Sequence, residues 1–185
     1  MEALLVSTGV VALADMGDKT QLLSLLLAAK FRRPIPIVFG IFAATLANHA
    51  LAGAVGAWTT HAIGEEAMRW LLGVSFLAMA AWALIPDSSP STKVERGRLG
   101  VFGTTVIAFF LLEMGDKTQI ATVALAAQYT AFYEVVAGTT IGMMLANVPA
   151  VLLGERLTKR VPVRAVQVLS AAIFVVLGII VLIGI

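Results

Sequence analysis

Long apolar stretches separated by short polar breaks run along the whole chain. A hydrocarbon core of about 30 Å needs about 20 residues of helix to cross it. Six stretches reach that length, at 3–29, 35–58, 67–86, 100–127, 134–154 and 163–185. They are continuous apolar runs, unlike the ten-residue alternating strands of a membrane β-barrel. The pattern predicts an all-α membrane protein with six transmembrane helices.

Two of these stretches carry nearly the same polar motif at their centres. It reads Asp15-Met16-Gly17-Asp18-Lys19-Thr20-Gln21 in the first stretch and Glu113-Met114-Gly115-Asp116-Lys117-Thr118-Gln119 in the fourth, 98 positions later. The second and fifth stretches share a Leu-Ala-Asn string that ends at Asn48 and at Asn147. These matches predict two three-helix repeats, 1–86 and 100–185, joined by a cytoplasmic linker at 87–99.

Composition and charge placement support a membrane location and add an orientation. Hydrophobic residues make up 59% of the chain and charged residues 13%, against about 25% charged in a typical soluble domain. Ten of the 13 Lys and Arg residues lie in the loops after the first, third and fifth stretches. The positive-inside rule places those loops in the cytoplasm and both termini outside. With three spans each, the repeats must then be inverted, as in many secondary transporters with a midplane site.

The motifs place ionisable groups where a bilayer disfavours them by at least about 2.5–3.5 kcal/mol each. On one continuous helix, Asp15, Asp18 and Gln21 would lie on one face, because residues three apart are neighbours. The second motif would form the same stripe. Gly17 and Gly115 indicate either close helix packing or a local helix break. The repeated cost indicates that the two motifs build one polar site.

We expect that site to bind a cation. Its predicted metal ligands are Asp15, Asp18, Glu113 and Asp116. The predicted supporting residues are Gln21, Gln119, Asn48, Asn147, Lys19, Lys117, Thr20 and Thr118. The lysines would serve as internal counter-ions or extend toward an interface, and His49 either lines the cavity or bonds a backbone carbonyl.

Oxygen donors of this kind suit Ca²⁺, Mg²⁺ or Mn²⁺. Copper and zinc fit less well, since the chain has no cysteine and we expect neither histidine to lie in the cluster of acids. The same carboxylates can carry protons, because burial favours their protonated form and a metal ion favours the charged form. Competition between proton and metal for one set of oxygens is the simplest antiport mechanism.

The duplicated Glu-x-Gly-Asp-Lys-Thr pattern resembles the UPF0016 or Gdt1 family of cation transporters over almost the whole chain. The resemblance implies transport of Mn²⁺ or Ca²⁺ in exchange for protons, and bacterial members of the family resemble manganese exporters. Glu113 to Thr118 fill the family pattern completely. Asp15 stands where the pattern has Glu, so its carboxylate reaches less far by about 1.5 Å, one carbon–carbon bond.

Together these features predict a secondary transporter of a bacterial inner membrane that exports divalent cations, Mn²⁺ first, by proton antiport. A Ca²⁺/proton antiporter with the same residues and a divalent cation channel remain alternatives. An intramembrane hydrolase is disfavoured, because no nucleophile–base set or His-Glu-x-x-His motif is present. The lack of aromatic residues around the motifs disfavours an organic cation as cargo. We expect no enzyme activity, no cofactor and no nucleic-acid partner, and a monomer or homodimer in contact with lipid.

Overall fold

The computed structural model describes residues 1–63, 65–85, 99–129, 131–153 and 163–184, and all regular secondary structure in these ranges is helical. Eight helices lie within the described ranges: α1 Glu2–Asp15, α2 Lys19–Phe31, α3 Pro34–Ala62, α4 Glu65–Ala83, α5 Gly100–Glu113, α6 Lys117–Tyr129, α7 Phe132–Leu153 and α8 Val163–Ile183. The predicted linker at 87–99, apart from Leu99, and the basic residues at 156–160 lie outside the described residues.

Three of these helices are long and apolar enough to cross a membrane by themselves. They are the segments Pro34–Thr60 of α3, Phe132–Leu153 of α7 and Arg164–Ile183 of α8. Large apolar side chains such as Leu5, Phe39, Trp58, Leu111 and Val176 are exposed on the outside of the molecule. A surface of this kind is expected where lipid, not water, surrounds the protein. The all-helical prediction is confirmed.

The prediction that stretches 3–29 and 100–127 are continuous helices is wrong. Each is broken at its motif, into α1 and α2 in the first half and into α5 and α6 in the second. Asp15, Asp18 and Gln21 therefore do not share one helix face, because Asp15 ends one helix and Asp18 precedes the next. Of the two interpretations of the motif glycines, the local helix break is the one confirmed.

The break is a tight turn with nearly the same backbone in both copies. Met16 has φ −64° and ψ 120°, and Met114 has φ −61° and ψ 119°. The glycines that follow have positive φ, 79° at Gly17 and 77° at Gly115. The Asp18 N–H donates to the Asp15 carbonyl at 3.1 Å, and the second turn repeats this bond at 3.0 Å. These are the angles and the hydrogen bond of a type II turn, whose third residue is glycine because side chains disfavour positive φ.

The broken helices of each predicted half pack against the long central helix of the other half. Helix α1 packs along α7, and α5 packs along α3; in the same way α2 contacts α7 and α6 contacts α3. Glycines permit the closest approach. A Cβ atom at Gly138 would lie 2.5 Å from the Leu4 carbonyl oxygen, and one at Gly142 would lie 2.6 Å from that of Thr8. The halves are therefore interleaved and do not form separate bundles.

Two hydrophobic cores hold the helices together. The first core is built from α1, α4, α6, α8 and the start of α7, with Phe76 and Phe174 stacked at a centroid distance of 6.4 Å. The second core is built from α2, α3, α5 and the end of α7, and includes Leu27 and Phe109. Helices α4 and α8 pair with each other and, among the described residues, contribute to the first core alone. The motif turns lie at the α1–α2 and α5–α6 junctions, between helices of the two cores.

Candidate cation site

All four predicted carboxylates lie at the two turns and are shielded from solvent. Asp15 and Glu113 are the last residues of α1 and α5, while Asp18 and Asp116 directly precede α2 and α6. Each is at most 1% exposed. The turn is what brings them together, since it bends the chain so that an acid on either side points toward the same interior. Charges buried this deeply require compensating partners.

Two lysines provide that compensation, and each one pairs with the opposite turn. Lys19 Nζ lies 2.8 Å from Asp116 Oδ1, and Lys117 Nζ lies 2.9 Å from Asp18 Oδ1. The counter-ion interpretation of the lysines is thus the one that the structure bears out. The reciprocal pairs join the two motifs into a single polar centre. They differ in one respect, because the Lys19 side chain is 23% exposed and the Lys117 side chain only 4%.

The motif threonines bind the remaining two acids. Thr20 Oγ1 donates to Asp15 Oδ1, and Thr118 Oγ1 donates to Glu113 Oε1. Thr118 Oγ1 also lies 3.3 Å from Asp116 Oδ2. Each threonine therefore ties the first turn of one helix to the last residue of the helix before it. The hydroxyls fix the direction in which these carboxylates point.

The motif glutamines stabilise the turns themselves. The Gly17 N–H donates to Gln21 Oε1 at 3.0 Å, and the Gly115 N–H donates to Gln119 Oε1 at 2.7 Å. The Gln21 amide Nε2 also donates to the Ala146 carbonyl at 3.0 Å. In this state the glutamine oxygens are engaged by backbone, so their role is to satisfy an amide that the helix break leaves unpaired.

The two asparagines reach the centre from the opposite half but differ in their bonding. Asn147 Nδ2 donates to Asp15 Oδ2 and to the Met143 carbonyl, and its Oδ1 accepts from Ser24 Oγ at 2.6 Å. Asn48 Nδ2 donates to the Phe110 carbonyl at 3.1 Å, while its Oδ1 is buried with no hydrogen-bond partner among the described residues. The Asp15 side of the centre is therefore closed by hydrogen bonds, and the Glu113 side is not.

His49 also belongs to this centre, so the expectation that no histidine lies among the acids is wrong. The side chain is fully buried, and its Nε2 lies 3.8 Å from Glu113 Oε1. In the sequence, the position of His49 next to Asn48 on one helix was the available indication that it lies near the polar centre. It could not decide between a cavity position and a backbone bond, because that depends on how α3 is rotated against α5.

In the described ranges, no group of three His, Cys, Asp or Glu side chains is arranged to hold a metal ion. The bonding explains this, because two of the acids face lysine ammoniums and the other two accept from threonine hydroxyls. With every group ionised, four carboxylates and two ammoniums leave a charge of about −2. One divalent cation would balance that charge, once side chains that now face the acids shift.

Comparison with known proteins gives a consistent result. The profile of the family described as "Divalent cation/proton antiporter GDT1" matches residues 3–91 and 101–185. A protein of Vibrio cholerae named "Putative manganese exporter" is 49% identical over 179 residues, which cover 96% of this chain and 89% of that protein. The chain is 27% identical over 183 residues to a GDT1-like protein of Synechocystis, with 89% and 88% of the two chains covered.

A more distant relative comes from Saccharomyces cerevisiae and is named "Divalent cation/proton antiporter GDT1". It is 24% identical over 229 residues, covering 94% of this chain and 81% of the yeast protein. No solved structure matches the chain significantly. The matched ranges include both turns and both asparagines of the polar centre.

Proposed function

This chain belongs to the divalent cation/proton antiporter GDT1 family, and from that premise we propose that it exports Mn²⁺ in exchange for protons. The observation that carries the proposal is the pair of buried acidic turns joined by reciprocal lysine–aspartate contacts. A polar centre of this charge inside an apolar helical protein has little use except to pass ions. The 49% identity to the Vibrio cholerae protein named "Putative manganese exporter" supports Mn²⁺ as the cargo.

In this proposal, Asp15, Asp18, Glu113 and Asp116 bind metal ion and protons alternately. The lysines hold Asp18 and Asp116 while no cation is bound, and the threonine hydroxyls hold Asp15 and Glu113. An arriving divalent cation replaces these contacts with its own, since carboxylate and amide oxygens are ligands that Mn²⁺ accepts. Protonation of the same oxygens releases it.

Proton exchange is also the economical solution for export. Moving a doubly charged ion outward against 100 mV costs about 4.6 kcal/mol, at about 2.3 kcal/mol for each charge. Protons that enter in return offset that cost. Ca²⁺ is the second candidate, because the oxygen donors of the centre suit it equally well.

We further propose that the repeats 1–86 and 100–185 are inverted in the inner membrane of a bacterium. Both termini and the α4 N-terminus then face outward, and the linker at 87–99 faces the cytoplasm. Two features support a two-fold relation between the repeats: the motif turns have the same backbone angles, and each half offers its lysine to the aspartate of the other. Two units related by a two-fold axis would make such reciprocal contacts. The basic residues after the first, third and fifth stretches favour an inverted arrangement.

Transport in inside-out membrane vesicles tests this function. With an acidic interior, the protein should take up Mn²⁺ and release protons, and collapse of the proton gradient should stop the uptake. Glu113→Gln should reduce exchange by more than the roughly 10–100-fold that loss of an outer-shell partner costs. Glu134→Gln is the matched control, because that exposed carboxylate lies 2.5 Å from the amino terminus on the outside of α7.

Two results would contradict the proposal separately. Wild-type uptake that is indifferent to the proton gradient would refute antiport, and would favour a channel. Undiminished exchange by Glu113→Gln, with protein present at wild-type levels, would refute the assignment of the site while leaving antiport intact.

A further inference from the structure

The Glu113 side of the polar centre holds a cluster of electron-pair donors that have no hydrogen-bond partners. His49 is fully buried, and neither of its ring nitrogens has a hydrogen-bond partner among the described residues. The same holds for the buried atoms Asn48 Oδ1 and Glu113 Oε2. Polar atoms left unpaired in a protein interior cost about 1–3 kcal/mol each. Their concentration here therefore calls for an explanation.

The chemistry of these atoms points to a cation. An amide oxygen and a carboxylate oxygen are acceptors only, and a neutral imidazole has one nitrogen with a free lone pair. Two ligands bound about 2.1–2.3 Å from one ion, at 90–120° to each other, are themselves about 3–4 Å apart. The observed 3.8 Å between His49 Nε2 and Glu113 Oε1 fits that separation, and Oε1 keeps a second lone pair beside the bond it accepts from Thr118. It is too long for a hydrogen bond between the two groups.

The corresponding position in the other half lacks these donors. Asn147 is followed by Val148, an apolar residue, where Asn48 is followed by His49. Asn147 is fully engaged by Asp15, Ser24 and the Met143 carbonyl. The two halves of the centre are therefore unequal, and the half with His49 is the one whose donors are open.

We propose that His49 is a nitrogen ligand of the transported cation and gives the site its preference for Mn²⁺ over Ca²⁺. The inference rests on the proposed function and deepens it. Ca²⁺ and Mg²⁺ take oxygen ligands almost exclusively, whereas imidazole binds first-row transition ions. Manganese in helical carboxylate proteins is held by glutamate and histidine together. A site made of oxygen alone would not make this distinction, but one with His49 does.

Pulsed electron paramagnetic resonance of bound Mn²⁺ tests the contact directly. A coordinated imidazole nitrogen modulates the electron spin echo, and the chain has only two histidines, His49 and His61. The purified protein, free of any polyhistidine tag, should show nitrogen modulation, and His61→Gln should keep it. His49→Gln should lose it, because glutamine offers an amide oxygen in place of the ring nitrogen.

Competition binding supplies the second readout. Displacement of Mn²⁺ by Ca²⁺ in the same samples should become easier in His49→Gln, by about tenfold in the ratio of the two affinities. Thr105→Val is the control for a change in the protein interior, because the buried Thr105 hydroxyl bonds only the Val101 carbonyl of its own helix among the described contacts. That variant should leave the ratio unchanged.

The outcomes separate this inference from the proposed function. Wild-type protein that exchanges Mn²⁺ for protons but shows no nitrogen modulation would overturn the role of His49 and leave the function standing. Modulation that persists in His49→Gln would overturn it as well. Nitrogen modulation without any proton-coupled exchange would instead refute the proposed function. If a His49 variant fails to fold, the wild-type spectrum together with that of His61→Gln still decides the matter.

Discussion

At the scale of single residues, loss of the lysine–aspartate pairs should lower the stability of the protein strongly. Removal of one partner from a buried ion pair leaves an uncompensated charge, at a cost of about 3–5 kcal/mol. Lys117→Met should therefore destabilise the protein by about that amount, since the Lys117 side chain is only 4% exposed. Lys19→Met should cost less, because Lys19 is 23% exposed and its removal leaves Asp116 closer to solvent. Thermal unfolding in detergent micelles measures both.

A double variant shows whether the pair itself is responsible. Lys117→Met combined with Asp18→Asn removes both charges and should recover most of the stability that Lys117→Met loses, whether or not transport survives. Lys30→Met, on an exposed lysine near the end of α2, controls for the loss of a positive charge and should change the unfolding temperature little. Equal losses in the single and the double variant would mean that the two side chains do not stabilise each other.

The identity of these residues could be predicted from the repeated motif, but their pairing could not. A lysine in an apolar stretch indicates that a carboxylate lies nearby, and Asp18 and Asp116 were the obvious candidates on their own turns. Which of them each lysine reaches depends on how α2 and α6 approach each other. That approach is a property of tertiary packing, and inspection of the sequence does not reveal it.

At the scale of the elements, the glycines of the two turns should be sensitive to substitution because of their backbone conformation. Gly115 has φ 77°, and a Cβ atom added there would meet nothing within 4 Å, so substitution is opposed by backbone conformation alone. Gly115→Ala should cost about 1–2 kcal/mol, and Gly115→Asn less, because asparagine tolerates positive φ. Both should lower Mn²⁺ exchange, since the turn positions Glu113 and Asp116.

Gly9 offers a matched control within the chain. It lies inside α1, and a Cβ atom added there also meets nothing within 4 Å. Gly9→Ala should be neutral or stabilising by about 0.5–1 kcal/mol, because alanine favours a helix interior. If Gly115→Ala behaved like Gly9→Ala in unfolding and in transport, the left-handed turn would not be required.

The helical type of the chain followed from apolar length, whereas the two breaks did not, so six predicted helices became eight within the described residues. A type II turn needs one glycine and displaces only a few residues, so it leaves a stretch such as 100–127 looking continuous in hydropathy. Gly115 alone was compatible with close packing as well. The acid on each side of the glycine was the better indication, because a helix interrupted within a membrane exposes backbone groups that can serve an ion site.

At the scale of the whole molecule, the position of α4 and α8 departs from the two-fold relation proposed for the repeats. Helix α4 packs against α6, and α8 packs against α1, so both join the first core. The two-fold partners of these contacts would be α8 with α2 and α4 with α5. Within the described residues those contacts are slight at most, and the second core contains no residue of α4 or α8.

Such an asymmetry is expected of a transporter whose site is accessible from only one face of the membrane. In the proposed orientation, α1 and α6 occupy the outer half of the membrane, and α2 and α5 the inner half. In that orientation the α4–α8 pair would pack against the helices of the outer half, α1 and α6, and would leave the helices of the inner half less covered. The interleaved packing of α1 on α7 and of α5 on α3 makes it costly for one repeat to move as a rigid body. Movement of α4 and α8 alone would exchange one set of core contacts for its two-fold equivalent.

A reversible cross-link between α1 and α8 tests whether that movement is needed. Ser170 Oγ donates to the Leu13 carbonyl at 2.8 Å, which places the two helices in direct contact there. The chain has no cysteine of its own, so Leu13→Cys with Ser170→Cys introduces the only thiols. A bis-methanethiosulfonate reagent, which links the two thiols through disulfides, should stop Mn²⁺ exchange in the double variant, and reduction should restore it. Each single variant should transport with or without the reagent.

Binding distinguishes a locked protein from a damaged one. The cross-linked state keeps α8 packed against α1, so Mn²⁺ supplied at the cytoplasmic face should still bind with unchanged affinity while transport is blocked. Mass spectrometry of the peptides gives the extent of cross-linking. A fully cross-linked protein that exchanges Mn²⁺ at the wild-type rate would show that α8 never leaves α1. The cation would then have to pass by rearrangement of the two turns themselves.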